Sequence, residues 1–164
     1  MSRLCTELAA FLHNKFGDLF KQLNARRLTP IQLKAFAQAI SDRGAPLQNV
    51  WAFLDGTVRP ICRPGKYQRQ AYNGHKRVHA LKFQSVTTPD GIISHLTGPW
   101  AGKHHDGYLL SNSKLREQLE VYSHGPNREV LYIYGDPGYT YGAFILCPFK
   151  GRLPFVGTTT NQAK

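Results

Sequence analysis

Val50-Trp51-Ala52-Phe53-Leu54-Asp55-Gly56-Thr57 is five apolar residues that deliver one carboxylate and then meet a glycine. A short run of bulky apolar residues closed by Asp-Gly reads as a strand buried on both faces. Asp55 is then expected at its carboxyl end. The same grammar returns at Leu131-Tyr132-Ile133-Tyr134-Gly135-Asp136-Pro137-Gly138-Tyr139, again an apolar run ending in an aspartate among glycine and proline. Two such strands lying parallel and adjacent would bring Asp55 and Asp136 to one edge. Open α/β sheets bind ligands outside the carboxyl ends of their strands, which is where both carboxylates would stand. Converging carboxylates in a basic protein suggest a metal ion meeting a phosphate.

The charge bears on partners, a basic solvated surface with no specific partner being the bland alternative. The 164 residues carry 21 Lys and Arg against 10 Asp and Glu, a net charge of +11. Such an excess favours a polyanion, nucleic acid before membrane. The length suits one domain with a real core. Cys5, Cys62 and Cys147 are odd in number and form no C-x-x-C pair, which argues against zinc and a disulfide framework and fits a reducing compartment. With no run long enough to span a membrane and no signal-peptide layout, a soluble intracellular protein is expected.

Residues 1–48 read as a helical lead-in. Leu4, Leu8, Phe11, Leu12, Leu19 and Leu23 form a helical stripe, as one helix or as two divided near Gly17. A second helix is marked by Thr29 as cap, Pro30 in the first position and Gln32 completing a capping box, and it stops before Gly44. These helices carry no evident chemistry, although Lys21, Arg26 and Arg27 could reach a phosphate backbone.

Beyond the Asp55 strand the middle of the chain reads as a meander. Ile61 to Tyr67 and Arg77 to Thr88 look extended, and Pro89-Asp90-Gly91 turns the chain into Ile92 to Leu96. No acidic residue occurs from Gly56 to Pro89, against Arg59, Arg63, Lys66, Arg69, Lys76, Arg77 and Lys82, with Tyr67, Tyr72 and His75 among them. This mixture suits a surface that tracks a nucleic-acid backbone without reading bases. The bland alternative is a sheet face kept soluble by its charges.

Gly98 to Gly107 reads as a loop, followed by a helix from about Tyr108 to Glu120. Asp106 is placed either to cap that helix or to join the other carboxylates. His104 and His105 would bind or orient a phosphate, or serve the helix start. His75 and His79 are four apart, but in an extended segment they need not share a face with a ligand, which argues against a histidine metal site.

Taken in order, Leu54-Asp55-Gly56-Thr57, Tyr72-Asn73-Gly74-His75-Lys76, Thr88-Pro89-Asp90-Gly91, Gly102-Lys103-His104-His105-Asp106 and Tyr134-Gly135-Asp136-Pro137-Gly138-Tyr139 resemble the DDE endonuclease domain of PIF/Harbinger-type transposases. The resemblance implies an α/β, RNase H-like mixed sheet flanked by helices over residues 49–164, behind the amino-terminal helical segment. It makes Asp55 and Asp136 the first two catalytic acids, and Asp106 a recurrent acidic position sometimes counted as a ligand. Implied with it are Mg²⁺ or Mn²⁺ on Asp55, Asp106 and Asp136, and cleavage of DNA phosphodiesters by a two-metal mechanism. DNA is the implied partner, the nucleus the implied location, and the oligomeric state stays open.

One departure is plain. The family places a glutamate on a later helix, expected after Cys147-Pro148-Phe149-Lys150, and no Asp or Glu follows Asp136 here. Glu117, Glu120 and Glu129 fall on the wrong element to replace it. The domain therefore reads as partial, incomplete at the carboxyl end. A metal-dependent nuclease, a catalytically inactive DNA-binding transposase remnant and a basic protein-interaction module are the three readings it leaves.

Overall fold

The computed structural model describes residues 2–148, so the expected glutamate-bearing helix lies outside the described residues. Helix α1, Arg3–Phe16, starts where the Ser2 hydroxyl accepts the Cys5 N–H, and a 3-10 turn over Gly17–Phe20 continues it. Helix α2, Pro30–Asp42, begins as its sequence prescribes, with the Thr29 hydroxyl accepting the Gln32 N–H. Its Leu33, Phe36, Ala37 and Ile40 are buried, as the helical spacing requires.

The remaining elements are strand β1, Val50–Pro60; helix α3, Gln68–Ala71; strands β2, Tyr72–Asn73, β3, Val78–Thr87, and β4, Ile93–Ala101; helices α4, Asp106–Asn112, and α5, Leu115–Tyr122; and strands β5, Tyr132–Gly135, and β6, Ile145–Leu146. They build one mixed sheet of six strands in the order β2-β3-β1-β5-β6, with β4 paired to β3. The β3 pairings with β1, β2 and β4 are antiparallel; β5 runs parallel to β1 and to β6. This is the mixed α/β arrangement of an RNase H-like fold, and the helices flank it as expected.

One apolar core joins the layers. Trp51, Ala52 and Leu54 of β1 meet Leu33, Phe36 and Ala37 of α2, Leu110 of α4, Leu115 and Leu119 of α5, and Ile133 of β5. A side chain of this size contributes roughly 1.5–3 kcal/mol when fully buried, so the cluster is the main stabilising term. Trp51 also donates its indole N–H to Ser123 Oγ at 3.3 Å, which satisfies the one polar atom of a fully buried ring.

Several expectations are corrected. Asp55 is not at the end of its strand: β1 runs five residues further, because β3 pairs with it from Phe53↔Thr87 to Pro60↔Ala80. What ends at Asp55 is the parallel pairing, whose last partners are Leu54 and Gly135. Ile61 to Tyr67 is irregular rather than extended, and β4 continues to Ala101 through residues expected in a loop. The helix expected over 108–120 is two helices. Buried Ser113 divides them: its hydroxyl donates to the Leu110 carbonyl and accepts from the Leu115 N–H, while Lys114 takes a left-handed φ of 53°. The stripe on α1 is exposed, from Leu4 to Phe16, and no α1 side chain is buried.

Candidate active site

The first carboxylate owes its position to strand register. Asp55 follows Leu54 directly, Asp136 follows Gly135 directly, and Leu54 and Gly135 are partners in the parallel pair. The two aspartates therefore leave neighbouring strands side by side, as the two apolar runs in the sequence indicate. Asp136 is exposed, and its carboxylate accepts the Gly138 N–H at 3.0 Å, so the Asp-Pro-Gly turn fixes it.

Asp106 comes from a different element. It was a candidate cap of α4, but the cap is His105, whose Nδ1 accepts the Tyr108 N–H at 3.1 Å. Relieved of capping, Asp106 stands in the first helical position and its carboxylate is used elsewhere. Lys82 of β3 donates to Asp106 Oδ1 at 2.6 Å, with its side chain only 5% exposed and that of Asp106 21%.

Two glycines make room for this. A methyl group at Gly138 would lie 2.8 Å from Asp106 Oδ2 and 3.0 Å from Asp136 Oδ1. One at Gly56 would collide with Asp106 Oδ1 and sit 3.2 Å from the Tyr139 hydroxyl. Gly56, which reads in the sequence as a strand terminator, is instead a mid-strand gap admitting a carboxylate from the helix.

Tyr139 lies beside the carboxylates. It is buried, and its hydroxyl has no hydrogen-bond partner. Burial first, then the charges of Asp106, Asp136 and Asp55, push its ionisation far above the usual tyrosine range. The phenol thus stays protonated beside all three carboxylates.

Asp55, Asp106 and Asp136 line one cavity of about 570 Å³, together with Gly56, Lys82 and Gly138. Its rim is basic: Lys76, Lys103, His104 and His105 are all on it, with His75. His104 stacks on Tyr108 with ring centroids 3.9 Å apart, and burial, followed by the charges of Lys103, His105 and Lys82, lowers its proton affinity. Asn73 ties the rim together. Its amide donates to the Gly102 carbonyl at 2.9 Å, and its side-chain oxygen accepts the Lys76 N–H at 2.8 Å.

The other proposed contacts fall outside this cavity. Arg59, Arg63, Lys66, Arg69 and Arg77 are exposed but do not line it; Arg63 and Arg69 border a separate shallow depression with Tyr72 and His79. Arg27 is engaged internally by Asp90, Thr88 and Ser94, and Lys21 pairs with Asp18. Glu117 borders a surface depression on α5, and Glu129 pairs with Lys34 at 3.6 Å; neither reaches the carboxylates.

Lys82 and Asn73 are cavity-lining residues that sequence reading did not single out. Lys82 was one of seven basic residues in an acid-free stretch, and only the alternation along β3, which buries Ala80, Lys82, Gln84 and Val86, marks it as inward-facing. Among the described residues, no three His, Cys, Asp or Glu side chains form a group able to hold one metal ion. No helix among them is long and apolar enough to cross a membrane.

Residues 54–164 match the family described as DDE superfamily endonuclease. No curated protein and no solved structure matches the chain.

Proposed function

The chain belongs to the DDE superfamily endonucleases, and from that premise we propose that it is a transposase-derived, PIF/Harbinger-type domain acting on DNA phosphodiesters with a divalent cation. The observation that carries the reading is the convergence of Asp55 and Asp136 where the parallel pairing ends, with Asp106 in the same cavity.

The donors fit the implied metal. All three are carboxylates, the oxygen ligands that Mg²⁺ and Mn²⁺ prefer, and glycines at positions 56 and 138 keep the space between them clear. Asp55 and Asp136 would hold the cation, with Asp106 in support. Bound there, a pair of such ions would activate the attacking oxygen and stabilise the leaving one. The chain's own residues do the rest. Lys76, Lys103, His104 and His105 lie where a phosphate backbone would cross the cavity mouth, and each can neutralise or hydrogen-bond an oxygen. Arg59, Arg63, Lys66, Arg69 and Arg77 extend the basic surface for the flanking duplex. Work on DNA in the nucleus follows from the same reading.

The test is nicking of supercoiled DNA in Mg²⁺ or Mn²⁺ by a form carrying the family's glutamate helix. Asp55→Asn should reduce the rate at least about 100-fold, since a metal ligand is worth several kcal/mol in the transition state. Undiminished nicking by that variant would exclude the assignment.

A second reading is a catalytically inactive DNA-binding remnant, favoured by the lack of a three-ligand group among the described residues. It expects duplex binding that is steeply salt-dependent and indifferent to chelators.

A further inference from the structure

Lys82 is the buried lysine of the cavity. Lys76 and Lys103, which also line it, are exposed and free to meet DNA, whereas Lys82 is 4% exposed and sits beneath them. A buried ammonium is tolerated only with a charged partner, and the partner at 2.6 Å is Asp106. The contact pins β3 to the start of α4 and commits one of the three carboxylates to a cation the protein carries itself.

Two further observations agree. No three described side chains form a group for one ion, although three carboxylates share the cavity. His105 takes over the capping of α4, so the Asp106 carboxylate is not consumed by the helix and is left to Lys82.

We propose that Lys82 is a built-in cation of this site. Its ammonium supplies on Asp106 the positive charge that a second divalent ion would otherwise supply, so the DNA-free protein binds one ion, on Asp55 and Asp136. Lys82 is a positioning residue, acting on the metal complement through Asp106. The inference rests on the proposed metal-dependent function and sharpens it, because it separates Asp106 from the other two carboxylates.

Mn²⁺ binding without DNA, followed by calorimetry and by the paramagnetic spectrum of the bound ion, tests it. The unmodified chain should take up one Mn²⁺. Lys82→Met should take up two, or bind with at least about tenfold higher affinity, because Asp106 is released next to the existing ligands. The double variant Lys82→Met, Asp106→Asn should return to one. Lys82→Gln, whose amide can still donate to Asp106 without charge, provides the same readout if the methionine variant does not fold. Two ions in the unmodified chain, or one ion at unchanged affinity in both Lys82 variants, would overturn the proposal while leaving the metal reading intact. No Mn²⁺ bound by the unmodified chain would overturn both.

Discussion

Gly138 stands between Asp106 and Asp136, and a methyl group there would crowd an oxygen of each. Neither carboxylate can retreat easily, since Asp106 is held by Lys82 and Asp136 by the turn's own N–H. Gly138→Ala should therefore reduce Mn²⁺ affinity about tenfold or more while shifting the melting temperature by only a few degrees, because the site is partly open and the core is remote. Titration and a thermal melt on the same sample separate the two effects. His95 offers a residue-scale prediction of another kind. It is fully buried, and burial lowers its pKa from 6.5 to about 4, with a weak interaction with the Lys21 backbone offsetting a small part. Above pH 6.5 the ring is neutral in both folded and unfolded chains. As pH falls from 6.5 towards 4 the unfolded chain takes up a proton that the folded chain refuses, so stability drops by up to ~3 kcal/mol and then levels off. Urea unfolding of the parent and of His95→Leu across this window should show the variant with the smaller loss.

Among the elements, the turn from β2 to β3 and the loop from β4 to α4 both supply the basic rim, and Asn73 is the side chain that joins them. Asn73→Ala strands the Gly102 carbonyl and the Lys76 N–H, costing about 1–3 kcal/mol. It should weaken duplex binding several-fold and leave Mn²⁺ uptake on Asp55 and Asp136 unchanged; a parallel loss of both would mean that the rim and the carboxylates are one unit. The elements also mark what could be read from the sequence. The paired strands announced themselves, since Val50 to Leu54 and Leu131 to Tyr134 are apolar runs that each lead to an aspartate, and they do pair in parallel; the expected burial of the first run on both faces does not hold, because Phe53 is 43% exposed. The length of β1 did not announce itself, because an Asp-Gly step reads locally as a stop, whereas pairing with β3, a later strand of the sheet, decides how far a strand goes. The choice between the two roles open to Asp106, cap of α4 or third carboxylate, was not legible for a similar reason. His105 and Asp106 are both competent at a helix start, and the choice between them was made by Lys82, whose inward orientation is a tertiary fact. Alternation along β3 was the available signal: a lysine in register with buried Ala80, Gln84 and Val86 must either have a partner or face a cavity.

For the molecule as a whole, the +11 charge distinguishes basic groups by what they already hold. Arg27 is bound to Asp90 through a contact of 2.6 Å and to Thr88 and Ser94, so it braces the start of the helical layer against the β3 to β4 turn. Lys76, Arg77 and Lys103 are exposed, and Lys76 and Lys103 lie on the cavity rim. Only groups of the second kind release counterions from DNA when they bind. If the chain binds duplex across this rim, the logarithm of its affinity should fall linearly with the logarithm of salt concentration, and Lys76→Ala should reduce that slope by about 1. Arg27→Ala should leave the slope unchanged and lower the unfolding free energy, because it removes a partly buried ion pair and hydrogen bonds to Thr88 and Ser94. Fluorescence anisotropy at several salt concentrations, beside denaturant unfolding of the same variants, reads both quantities. A slope insensitive to Lys76→Ala but reduced by Arg27→Ala would move the DNA surface away from the carboxylate cavity, and the assignment of that cavity to phosphodiester chemistry would fail with it.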